Sequence, residues 1–124
     1  MRLTADAFAE LVREALRDIP GPFAAHLEDV CIDVEAVPDP VACKEGGVDD
    51  PRDLLGLYQG TPLTERSVEH SVQLPDRIIL YQRNIERTCR SRREIIREIR
   101  KTVFHEVGHH FGLDEDDLAE LGYE

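Results

Sequence analysis

From about Ile85 to Phe111 the chain is patterned for a helix, and that stretch constrains the fold most. Ile96, Ile99, Val103 and Val107 recur at helical spacing and make one apolar stripe. Ser91 can begin a fresh helix there, with Glu94 three residues on to complete a capping box. Gly112 supplies the stop. At about 100° per residue, His105 and His109 lie roughly opposite the stripe. The helix is therefore held from behind while both imidazoles face away from its anchored side.

The rest of the chain supplies something for that helix to cover. Residues 4–19 form an amphipathic pattern, with Thr4 as cap and Phe8, Leu11, Val12, Ala15 and Ile19 on one side. Pro20-Gly21-Pro22 ends it, and a second short element covers Phe23 to Leu27. Residues 29–37 are rich in β-branched residues and alternate in part, as a strand does. Pro38-Asp39-Pro40 closes that strand, and 41–53, with Gly46-Gly47 and Asp49-Asp50-Pro51, are expected to be a loop. Leu54–Tyr58 and Arg77–Gln82 are two further strands, separated by a polar, irregular stretch over 61–75. Asp116–Leu121 reads as a last short helix. The order of helix, three strands, long helix and short helix predicts an α+β fold with a small mixed sheet covered by helices.

With 124 residues the chain suits a single domain over 1–124 with one core. Cys31, Cys43 and Cys89 are odd in number and widely spaced, against a disulfide framework or a paired-cysteine metal site. No apolar run reaches membrane-spanning length, and the first residues lack the unbroken apolar stretch of a signal peptide. A cytoplasmic protein with no membrane association is expected. The net charge of −11 argues against general nucleic-acid binding. The charge is uneven, since seven basic residues fall between Arg87 and Lys101 against Glu94 and Glu98. That cluster is either a docking face for an acidic partner or the solvated side of a helix, and the second is the simpler account.

Two histidines four apart on a helix project from one face and can share a tetrahedral Zn²⁺ at about 2.0–2.1 Å. Glu106 is one position round from His105 and can reach a water at the metal without being a ligand. This is the arrangement of zinc peptidases, in which the carboxylate takes the water proton as the water attacks a carbonyl. A catalytic zinc needs a third protein ligand. Only 15 residues follow His109, so a distant downstream helix cannot supply it. Gly112 lets the chain turn back, and Glu115, six after His109, is the expected third ligand, with Asp114 and Asp116 as rivals. His110 is expected to be a partly buried polar residue. Tyr58, Tyr81 and Arg77 are possible oxyanion helpers, each read more simply as structural.

Three blocks in this order resemble a known family. They are Gly56-Leu57-Tyr58-Gln59-Gly60-Thr61-Pro62-Leu63-Thr64-Glu65-Arg66-Ser67, then Leu74-Pro75-Asp76-Arg77-Ile78-Ile79-Leu80-Tyr81, then Thr102 to Glu115. The chain is similar to the small bacterial zincin-like metallopeptidases over about residues 54–124. That resemblance implies a minimal zincin-like fold: a short twisted sheet, a long active-site helix and little of a second subdomain. It implies one zinc per chain held by His105 and His109, Glu106 as general base, and a peptide or protein substrate lying along an edge strand, for which 54–58 or 77–82 is the candidate. The family usually carries an Asp where this chain has Glu115. It is not similar to metzincins, which have a third His and a methionine turn, whereas Met1 is the only methionine here. The alternative is a non-catalytic or decayed zincin-fold domain that binds metal or a protein partner. So small a domain could also need a homo-oligomer or partner to complete its cleft.

Overall fold

The computed structural model describes residues 1–17, 19, 21–60, 76–112 and 116. In chain order these form α1 (Ala5–Ala15), α2 (Gly21–Leu27), β1 (Val30–Glu35), α3 (Pro40–Gly46), a 3₁₀ turn (Pro51–Asp53), β2 (Gly56–Gln59), β3 (Asp76–Tyr81), α4 (Gln82–Arg87) and α5 (Arg92–His110). The three strands make a mixed sheet in the order β1-β3-β2, with β1 parallel and β2 antiparallel to β3. The α+β arrangement expected from the sequence is the one found. Among the described residues no helix is long and apolar enough to cross a membrane.

β3 is the centre of the sheet, which corrects the expectation that 77–82 could be an edge, and its side chains divide two layers by strand alternation. Ile78 and Leu80 enter the larger core with Phe8, Leu11, Val12 and Ala15 of α1 and Ile95, Ile99, Val103, Phe104 and Val107 of α5. Phe23 of α2 packs on Phe104 with ring centroids 4.6 Å apart. Ile79 and Tyr81 point the other way, into a smaller cluster with Ala42, Leu54 and Leu57. Helices α1, α2 and α5 therefore cover one face, and α3 lies against the other.

The helix starts follow from local chemistry. Thr4 accepts the Ala7 N–H at 3.1 Å, and Ser91 accepts the Glu94 N–H at 3.1 Å. The Glu94 carboxylate reaches back as a capping box requires, but takes the Arg90 N–H, one residue outside the cap. One expectation about 41–53 is corrected. The 41–53 segment is not all loop: α3 and the 3₁₀ turn lie within or across it. Asp39 caps α3 by accepting the Ala42 N–H at 2.8 Å, Pro40 occupies the first turn, and Gly47 ends it at φ 71°. The helical stretch breaks between Arg87 and Arg92 into α4 and α5, and the fresh helix expected at Ser91 is the one found. The expected irregular stretch 61–75 and the expected helix at 116–121 lie outside the described residues, Asp116 excepted.

Glu86 fastens the N-terminus to this frame. It is buried, and its carboxylate accepts the Leu3 N–H at 2.8 Å, Gln82 Nε2 at 3.0 Å and Arg83 Nη1 at 2.7 Å. Burial raises its pKa, but the hydrogen bonds from Gln82, Arg83 and Leu3 outweigh burial and hold the carboxyl below its usual range. A folded pKa below the unfolded one contributes stability above the unfolded value of about 4.3, and that stability is lost as pH falls through the folded value. Glu86→Gln is expected to cost about 1.5–3 kcal/mol at neutral pH, with the difference from wild type shrinking below about pH 4. Urea denaturation across a pH series measures it, and a constant difference at every pH would contradict the account.

Candidate active site

The site is built where α5 crosses β2. Gly56 permits the crossing: a Cβ there would meet Thr102 Cγ2 at 2.6 Å and the Ile79 carbonyl oxygen at 3.2 Å. With no side chain at 56, the helix lies directly on the strand. One turn after Thr102, Glu106 Oε1 accepts the Tyr58 backbone N–H at 3.0 Å. Among the described residues Oε2 carries no hydrogen bond. Burial pushes the Glu106 carboxyl above its ordinary range, while the Tyr58 N–H and the neighbouring His109 pull it back.

His105 and His109 project from the same side of the last turns of α5. Their ring centroids are 5.9 Å apart and the planes nearly perpendicular, at 80°. His105 is half-buried, with Nε2 shielded from solvent, and His109 is exposed. A tetrahedral ion held at about 2.0–2.1 Å by one nitrogen of each ring, allowing about 1.1 Å from ring centre to nitrogen, sets the centroids about 5 Å apart. The observed separation is close to that, and imidazole suits zinc, so the two side chains fit the ion. Beside them is a cleft of about 250 Å³ lined by His105, Glu106, Lys101 and Thr102 of α5 and by Asp53–Gly56 on the approach to β2.

The structure brings His105, Glu106 and His109 together. Glu115 and its rival Asp114 lie outside the described residues, and Asp116 is exposed. Among the described residues no group of three or more His, Cys, Asp or Glu is placed to hold a metal. Of the possible helpers, Tyr81 and Arg77 face away from the site, on the α3 side of the sheet. Tyr81 is fully buried, and its hydroxyl meets no hydrogen-bond partner among the described residues. Burial, with the Glu35 and Asp39 carboxylates, pushes it up to about 12. Arg77 donates to Asp33 Oδ2 and Gln59 Oε1, each at 3.0 Å.

Tyr58 is the helper candidate that stays at the site. Its ring stacks on His110, centroids 4.0 Å apart, and its hydroxyl donates to Asp76 Oδ2 at 2.8 Å. His110 Nε2 is 3.8 Å from the same carboxylate oxygen. His110, expected to be partly buried, is exposed and packed by one ring face. The Tyr58–Asp76–His110 group joins three distant stretches of chain; Tyr58 as a possible helper and His110 beside His109 drew notice in the sequence, but nothing there said that they meet.

A model of the zincin-like metallopeptidase family matches residues 27–123. The chain belongs to that family. Among solved structures it is similar to a conserved hypothetical protein from Thermo thermophilus, at 27% identity and TM-score 0.54, covering 94% of this chain and 98% of that one. No curated protein matches it. The zincin-like fold here consists of the mixed sheet, the N-terminal helix and the long α5.

The crossing at Gly56 sets the distance between Glu106 and β2. Gly56→Ala is expected to destabilise the zincin-like fold by about 1–3 kcal/mol, since the added methyl meets a buried Thr and a backbone oxygen. Adding Thr102→Ser removes Cγ2 and should return part of that loss. Chemical denaturation of the single and double variants checks it, and equal stability of the two would show that Thr102 is not the obstacle.

Proposed function

We propose that this zincin-like protein is a zinc-dependent peptidase in which His105 and His109 hold the metal and Glu106 is the general base. Glu115 is the proposed third ligand, on its spacing after Gly112. The observation that carries the proposal is the state of Glu106. One carboxylate oxygen is fixed by the Tyr58 N–H, while the other is without a hydrogen bond among the described residues, at the rim of a cleft that His105 also lines. A structural metal site has no use for a half-buried carboxylate aimed in this way.

When bound, zinc supplies a Lewis acid that polarises a carbonyl and makes water acidic enough to attack at neutral pH. The chain's own residues do the rest. Glu106 accepts the proton of the attacking water at its free oxygen and passes it to the departing amine nitrogen. The Tyr58 N–H keeps the carboxylate from rotating away between these two transfers. The substrate is a peptide in extended form beside β2, an edge strand of the sheet.

A domain that binds metal or a partner without turnover is the second reading. It is favoured by the occupation of one Glu106 oxygen, which leaves a single oxygen for chemistry. Glu106→Gln separates the two. A peptidase is expected to keep about one zinc per chain by elemental analysis and to lose about 10²–10⁴-fold in cleavage of a peptide library. A variant that keeps both metal and any measured turnover would remove Glu106 from the mechanism. His109→Ala is expected to lose the metal, and wild-type protein that takes up no zinc would sink the peptidase reading.

A further inference from the structure

Between α1 and α5, away from the β2 cleft, lies a second and larger groove of about 720 Å³. Four arginines of α5 line it: Arg92, Arg93, Arg97 and Arg100. Glu14 of α1 is the single carboxylate among its lining residues. This is an unusual allocation in a chain where 26 acidic residues outnumber 15 Lys and Arg. Arg92, Arg93 and Arg97 are exposed and make no hydrogen bond or ion pair among the described residues. Arg100 spends its Nε on the Ala15 carbonyl oxygen at 2.9 Å. The acids nearest in sequence are turned elsewhere, since Glu94 accepts the Arg90 N–H and Glu98 lines the cleft beside His105.

A merely solvated helix face would not be arranged so. Arg93 and Arg97 are four apart, and Arg97 and Arg100 three apart, which sets like charges next to each other on one helix. Such pairs destabilise an isolated helix by a few tenths of a kcal/mol each. Inside the chain only Glu14 among the lining residues and the Ala15 carbonyl stand against these four arginines, and a local rule so weakly compensated points to a partner outside the chain.

We infer that the groove between α1 and α5 is a docking surface for an acidic, partly apolar segment of another protein. Guanidinium groups pair bidentately with carboxylates. Arg93 to Arg100 extends about 10 Å along the helix, the length of three or so extended residues. Leu11 and Ile96 line the same groove and offer an apolar floor. Inorganic phosphate would leave that floor unused. A nucleic acid would bring its charged backbone against the rest of a protein of net charge −11. The surface is separate from the candidate active site: Arg97 is about 12 Å from His105 along the axis and faces α1 rather than β2. The inference does not depend on the peptidase proposal.

The test is fluorescence anisotropy with a short labelled peptide of alternating glutamate and leucine. The wild-type chain is expected to bind it, with affinity falling as salt rises. R93E/R97E is expected to bind about tenfold or more weakly. Both positions are exposed, so circular dichroism should show an unchanged fold, and R93Q/R97Q gives the same reading should charge reversal disturb it. A peptide of glutamate and serine is expected to bind more weakly than the leucine one. The proposal is overturned by no binding to the wild type, by equal binding to the variants, by no preference for leucine, or by tighter binding of a single-stranded oligonucleotide of equal charge.

Discussion

The site depends on a match of pitch between one helix and one strand. Four residues of α-helix rise about 6.0 Å, and two residues of strand about 6.6–6.8 Å. Thr102, Glu106 and His110 therefore keep step with Gly56, Tyr58 and Gly60. Thr102 fills the space over Gly56, Glu106 takes the Tyr58 N–H, and His110 Cε1 lies 3.1 Å from where a Gly60 Cβ would be. Glycine at both ends of the row lets the helix approach, and Tyr58 between them supplies the ring on which His110 stacks. His105 and His109 are one residue back from Glu106 and His110. They turn about 100° away from the contact row, toward the other side of the last turns of α5.

Much of this could be read from the sequence where the signal was local. Thr4 and Ser91 announce their helices by side-chain oxygens that accept backbone N–H groups three residues on. The apolar stripe of α5 held at Ile99, Val103 and Val107, but its first member is corrected: Ile96 is only partly buried, and Ile95 with Phe104 fills the core instead. Gly112, read as a stop, ends α5 at φ 79°. The α3 helix was written in the sequence too, in Asp39-Pro40 and Gly47. The same residues mark turns, and over only seven residues the apolar pattern is too sparse to decide between them.

What was not legible is what depends on residues far apart in the chain. Strand order is one case: β3 pairs with β1 and β2 at once, and nothing in the alternation of Ile78 to Tyr81 says which strand lies on which side. The anchoring of Glu106 is another. Its partner is a backbone N–H, which leaves no trace in the identity of residue 58. The Tyr58–Asp76–His110 group is a third, since its members belong to β2, β3 and the end of α5. For Tyr81 the simpler structural reading held: strand alternation carries it to the far layer, where it is fully buried.

α5 thus carries three environments round one axis. Its core side, with Ile95, Ile99, Val103 and Val107 fully buried, meets α1 and β3. Its second side rides on β2 and holds Glu106. Its third carries four arginines, of which Arg92, Arg93 and Arg97 make no hydrogen bond or ion pair among the described residues. The latter two are costly, because a half-buried carboxylate loses hydration and adjacent guanidinium groups repel. The core side offsets both. About four large aliphatic side chains, at about 1.5–3 kcal/mol each, outweigh a few tenths per like-charge pair several-fold. A helix fixed that firmly along one side can hold strained or charged groups along the others without moving. That rigidity keeps two imidazoles and a carboxylate in register on a scaffold of only three described strands.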